Sequence, residues 1–186
     1  KVADKPGRKQ MDASLILAES YYQGSGVDKD YKQAVSYFRK AAELGHAAAQ
    51  SNLGLCFDQG TGVKQNYETA VHWFTKAAAQ GDAQAQYNHG LCYLNGKGVT
   101  KDLKEAKRFF KLAADQGLAA AIAVLASLAR LGPNADLHES NKLLRKAKKA
   151  AAVSTDDFSK QIAQQNVNLI LSNLNCSNEG CTFVLS

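Results

Sequence analysis

Three four-residue stretches decide the fold: GSGV at Gly24–Val27, GTGV at Gly60–Val63 and GKGV at Gly96–Val99, each 36 residues after the last. The same interval separates Ala34, Ala70 and Ala106, then Phe38, Phe74 and Phe110, and then the pairs Ala41-Ala42, Ala77-Ala78 and Ala113-Ala114. It also separates Gly45, Gly81 and Gly117. Self-similarity at such a period marks one supersecondary unit copied along the chain, each copy burying an apolar face on its neighbour.

Each copy reads as two helices. The first, helix A, carries small or apolar residues at helical spacing: Ala13, Leu17, Ala18 and Tyr21, then Ala49, Leu53, Gly54 and Phe57, then Ala85, Gly90 and Tyr93. The two-glycine loop follows, because reversing the chain between antiparallel helices needs positive φ, which glycine adopts at little cost. The second, helix B, starts after Asp30, Asn66 or Asp102, with Gln33 or Glu105 three residues on as a capping-box partner, and ends at Gly45, Gly81 or Gly117. Aromatic pairs at Tyr37-Phe38, Trp73-Phe74 and Phe109-Phe110 fill the space between helix pairs.

A fourth copy is shortened. Ala121, Leu125, Ala126 and Leu128 repeat helix A, Gly132-Pro133 reads as its stop, and Asp136 with Glu139 supplies the next cap. An offset of 34 then lays Leu143-Leu144 over Phe109-Phe110, so two loop residues are lost, as expected of a terminal repeat. The predicted organisation is a disordered leader over 1–10 and four repeats over 11–46, 47–82, 83–118 and 119–152. An amphipathic capping helix over 153–174 and a tail over 175–186 follow. A start without Met suggests an excised or processed piece.

Composition narrows the class. The 186 residues are 45% hydrophobic and 22% charged with only two prolines, an ordinary globular composition, and no stretch approaches the about 18–20 apolar residues of a membrane span. The net charge of +6 is local: residues 103–152 hold ten basic against four acidic residues. Lys104, Lys107, Arg108 and Lys111 fall on the third helix B, and Lys142, Arg145, Lys146, Lys148 and Lys149 on the fourth. This is a solvated face or a ridge for an acidic surface. The aromatics occupy core positions instead of interleaving with the basic residues, which argues against nucleic acid.

The pattern A-x-x-x-L-G-x-x-[YF]-x-x-G-x-G-V followed by D-x-x-x-A-x-x-[YW]-F-x-x-A-A-x-x-G resembles the Sel-1-like repeat, a relative of the tetratricopeptide repeat. The likeness covers roughly residues 11–152, with His89 in place of the usual Leu, and Ala18 and Ala126 in place of Gly. It implies an all-α fold, a right-handed α-solenoid whose A helices line a groove, used by relatives to assemble other proteins. A β-lactamase-type hydrolase activity is attributed to some secreted relatives.

Subtracting the signature leaves the positions that vary on the A helices. Asn52 and Asn88 recur one repeat apart as candidate exposed amides able to clamp the backbone of an extended peptide, with Tyr22, Leu55 and Leu91 either an apolar floor or buried by the neighbouring helix. Arg145, Lys146 and Lys149 mark the second candidate surface. Catalytic and cofactor signals are scarce: GLCYLNGKG at Gly90–Gly98 has the wrong spacing for a phosphate loop, and His46, His72, His89 and His138 lack metal spacing. No catalytic residue, metal site or cofactor is predicted. Cys56 and Cys92, at equivalent points of adjacent helices, read as buried small hydrophobes too far apart for a disulfide. Cys176 and Cys181 are left as either a short disulfide loop or free thiols. Some bacterial secreted relatives carry a disulfide inside each repeat and this chain does not, so the resemblance implies a reducing compartment, cytosol or mitochondrion. The expected function is a non-catalytic protein-interaction scaffold taking a peptide or helix of a partner protein. The alternatives are a regulatory or self-assembling segment of a larger protein, homo-oligomers included, and a secreted β-lactamase-like hydrolase.

Overall fold

In the computed structural model the described residues are 6–130 and 135–153. They form α1 (Pro6–Gln23), α2 (Tyr31–Glu43), α3 (Ala47–Gln59), α4 (Tyr67–Ala79), α5 (Ala83–Asn95), α6 (Leu103–Asp115), α7 (Ala119–Ala129) and α8 (Leu137–Val153). Among the described residues there is no strand. Two compact units divide the chain, residues 1–106 and 107–186.

The caps fall where side-chain chemistry puts them. Asp30 accepts from the N–H groups of Lys32 and Gln33, Asn66 from Thr69, Asp102 from Lys104 and Glu105, and Asp136 from Glu139, all at 2.8–3.1 Å. A second tie recurs in every copy. The cap residue's own N–H donates to the carbonyl of the last core position of helix A: Asp30 to Tyr21 at 3.0 Å, Asn66 to Phe57 at 2.9 Å, Asp102 to Tyr93 at 2.9 Å and Asp136 to Ala129 at 2.8 Å. The fourth copy therefore keeps the register of the others despite its shorter loop.

In the first unit α1 packs on α2 and α3 on α4, while α2 meets α3 and α4 meets α5. The core is a small-residue seam studded with large side chains: Ala18, Ala34, Phe38, Ala41, Ala49, Leu53 and Cys56 form one cluster, and Ala70, Phe74, Ala77, Ala85 and Cys92 the next. Phe57 packs against both clusters and so fills the space between successive helix pairs. The small residues permit the approach: a Cβ on Gly54 would lie 2.7 Å from the buried ring of Phe74. In the second unit α7 packs on α8. Phe110, Ala113, Ile122, Ala126, Leu144 and Ala147 are among its buried residues.

Two expectations change. Helix α1 begins at Pro6, so residues 6–10 of the expected disordered leader are helical. Pro6 is the first helical residue, where its missing N–H leaves no intrahelical bond unmade and its fixed φ suits the helix. Helix α7 ends at Ala129 with Arg130 as its C-cap, ahead of the expected stop at Gly132-Pro133. Val153, the first residue of the expected capping helix over 153–174, is the last residue of α8. The rest of that helix, Gly132-Pro133, and Cys176 and Cys181 lie outside the described residues.

Candidate functional site

The A-helix face of the first unit carries the predicted amides. Asn52 on α3 is half-buried, whereas Asn88 on α5, expected to be exposed, is only 8% exposed. The side-chain amide of Gln84, one turn earlier, donates to Asn88 Oδ1 at 3.3 Å and lies across it. Asn88 Nδ2 is buried without an acceptor. A buried donor left unpaired costs about 1–3 kcal/mol, so this amide calls for an explanation.

The predicted apolar floor is less free than its sequence suggests. Tyr22 is half-buried and turns toward α2, with its ring edge-on to Tyr31 at 5.3 Å and to Phe38 at 6.2 Å, and burial pushes its hydroxyl pKa up. Leu55 and Leu91 are half-buried, and Leu55 packs against the Phe74 cluster. Cys56 and Cys92 are both buried free thiols, pushed up to about 11 chiefly by burial.

The histidines have structural contacts. His46 caps α3, its Nδ1 accepting from Ala49 N–H at 3.4 Å, while its Nε2 faces Asp12 at 3.6 Å. His89 is buried, 5.1 Å from the Tyr93 ring. Among the described residues no group of three or more His, Cys, Asp or Glu could hold a metal ion, and no helix is long and apolar enough to cross a membrane.

The second unit presents the basic surface. Arg145, Lys146 and Lys149 are exposed on α8, and with His138, Asn141 and Lys142 they line one depression. Lys142 and Lys146 also line a groove of about 490 Å³. Lys107, Lys111, Ala114 and Asp115 of α6, Leu125, Leu128 and Ala129 of α7, and Glu139, Lys142, Leu143 and Lys146 of α8 surround it.

The Sel1 repeat family model matches residues 12–46, 47–82 and 83–118, more than half of the chain. The chain belongs to the Sel1 repeat family. No curated protein matches. Among solved structures, this Sel1 repeat chain is similar to c5321, a protective antigen of uropathogenic Escherichia coli strains displaying an SLR fold, at 29% identity and a TM-score of 0.72. That match covers 87% of this chain but 38% of the antigen, so the chain spans well under half of that protein. A Sel1 repeat protein from Oxalobacter formigenes matches at 26% identity and a TM-score of 0.72, over 86% of this chain and 72% of the other. Cysteine rich protein B of Helicobacter pylori matches at 25% identity and a TM-score of 0.54, over 63% and 90%. The fold class is thus the all-α solenoid of Sel1 repeats, and proteins of this family generally mediate protein–protein interactions.

Several residues that shape these Sel1 surfaces escaped the sequence reading. Gln50, buried, donates from Nε2 to Ala42 C=O at 3.0 Å, and Gln86, one repeat on, donates to Ala78 C=O at 3.4 Å. The recurrence of glutamine at a spacing of 36 was the available signal. Ser140 is fully buried and donates to Ala126 C=O at 2.9 Å. It stands where the other copies place Ala34, Ala70 and Ala106.

Proposed function

We propose that the chain is a non-catalytic scaffold whose A-helix face on α3 and α5 binds an extended segment of a partner protein through the amides of Asn52 and Asn88. The observation that carries this reading is the unspent donor: Asn88 Nδ2 is buried and lacks an acceptor, on a face where the preceding repeat places a second amide. A peptide carbonyl would satisfy that donor, and a peptide N–H would take the place of Gln84, exposed and bonded to Asn88 Oδ1. Backbone-directed amides give affinity without demanding a particular partner side chain. Peptides selected on the full chain from a random display library test the reading. Binding at least tenfold weaker to the N52A/N88A variant is expected, and unchanged binding refutes it. Turnover of a chromogenic β-lactam would overturn the non-catalytic assignment.

A second reading is homotypic stacking on α1. Leu17 is 42% exposed, whereas its equivalent Leu53 is fully buried in the cluster that includes α2. Ile16 beside it is 62% exposed. An apolar face of this kind is where a further helix pair of another copy would continue the array. Light scattering over a dilution series decides it, since a constant monomer mass excludes stacking. Finally, we propose that the basic surface of α8, with Arg145, Lys146 and Lys149, meets an acidic partner surface.

A further inference from the structure

The groove in the second unit is lined by an alanine at a position where the other copies carry an aromatic residue. Tyr21, Phe57 and Tyr93 occupy the last core position of helix A in the first three copies, and the bond from Asp136 N–H to Ala129 C=O identifies Ala129 as the fourth. Phe57 shows what the aromatic does: it packs into the clusters on both sides, and the guanidinium of Arg39 lies 5.9 Å from its ring centre. In the second unit the counterpart of Arg39 is Lys111, the counterpart of Phe57 is Ala129, and both line the open groove. A further exchange sharpens the contrast. Lys107 stands where Val35 is buried in the first copy.

The groove therefore has an apolar floor and a cationic rim. Leu125, Leu128, Leu143 and Ala129 supply the floor, and Lys107, Lys111, Lys142 and Lys146 the rim. Two carboxylates interrupt the rim: Asp115, and Glu139, which lies 3.5 Å from Lys142 Nζ. Residues 107–153 as a whole hold nine basic side chains against three acidic ones. Four cations around an apolar hollow favour an occupant that is itself apolar at its centre and anionic at its edges. The carboxylates at Asp115 and Glu139 would repel a uniformly charged phosphate backbone or lipid surface, and the floor offers Leu and Ala instead of aromatic faces for base stacking.

We propose that the groove formed by α6, α7 and α8 binds an acidic segment of a partner protein. That segment inserts an aromatic side chain into the space left by Ala129 and sets its carboxylates against Lys107, Lys111, Lys142 and Lys146. This rests on the reading that the basic surface meets an acidic partner, and it narrows that reading to one anchor and one socket. An inserted aromatic ring buries about 150–250 Å², enough for a single residue to dominate the affinity of a short segment.

Fluorescence anisotropy on the full chain tests it, with a labelled 15-residue peptide rich in Glu and Ala and carrying one central Phe. Controls are the same peptide with Phe→Ala, a Lys-for-Glu version, phosphatidylserine vesicles and a single-stranded oligothymidine. The expected result is salt-sensitive binding of the acidic Phe peptide that falls at least tenfold for the Phe→Ala peptide and for A129Y, which refills the socket. A129Y restores the residue type of the other repeats and is expected to melt no lower than the parent chain. Should it fail to fold, the Phe→Ala peptide and the K111E/K146E variant carry the same test. Binding of the acidic peptide that ignores both the Phe and A129Y would overturn the socket while leaving the acidic-partner reading intact. No preference for the acidic over the Lys peptide, or binding of vesicles or oligothymidine alone, would overturn both.

Discussion

Gly62 of the second repeat lies directly against the backbone of Tyr31, the first residue of α2: a Cβ at Gly62 would sit 2.6 Å from the Tyr31 carbonyl carbon. Gly98 repeats the relation one unit later, with Tyr67 and with Glu68 N at 2.9 Å. Both also have positive φ, +72° and +69°. Gly26, at the same place in the first copy, has φ +75° but nothing within 4 Å. The second glycine of the loop therefore serves the stacking of one repeat on the next as well as the turn itself.

From this contrast, G62A and G98A should each destabilise the chain by about 3 kcal/mol, combining left-handed strain with overpacking, and G26A by about 1–2 kcal/mol from strain alone. Urea melts followed by far-UV circular dichroism rank the three. Equal losses would mean that the contact with Tyr31 contributes nothing.

Ser140 supplies a second test, in the terminal repeat. Its buried hydroxyl donates across to Ala126 C=O on α7, so S140A should lower stability by about 1 kcal/mol, the usual net worth of an intramolecular hydrogen bond. The same urea melt reads it, and a more stable S140A would show that the repeat's ordinary alanine suffices there.

The thiols set a pH dependence. Burial raises Cys56 and Cys92 from 9.0 to about 11, so the folded chain holds these protons more tightly than the unfolded chain. Their contribution is fully present below about pH 9 and is lost as the pH climbs toward 11, because the unfolded state then ionises first. Stability should therefore fall between pH 9 and 11, and the slope should be shallower in C56A/C92A than in the parent. Parallel slopes would show that the thiols are not protected. Site-resolved alkylation gives an independent check, with both positions reacting only on unfolding.

How far the chain could be read from its sequence depends on whether a position repeats. Asp30, Asn66, Asp102 and Asp136 were legible as caps because a carboxylate or amide before a helical run has one strong local use, and all four cap their helices. Local chemistry misplaced the start of α1 because residues 6–10 lack apolar periodicity, while a helix needs only compatible backbones and Pro6 supplies a good first residue. The candidate site was less legible. Asn88 was placed on the correct helix but its exposure was not, since burial depends on where Gln84 lays its side chain, which spacing does not encode. The groove by Ala129 was hidden for a related reason: it is lined by an alanine where the other copies carry an aromatic residue, and only the bond from Asp136 fixes which residue stands in the aromatic position.

The side-chain amides of Asn52 and Asn88 in a nitrogen–proton correlation spectrum, recorded with and without a peptide selected on the full chain, report whether the A-helix face holds the peptide. A downfield shift and slowed exchange of the Asn88 Nδ2 protons as they gain a peptide carbonyl, a smaller change at Asn52, and release of the Gln84 amide from Asn88 are expected. Amides of Asn52 and Asn88 that stay fixed while the peptide is bound would contradict it.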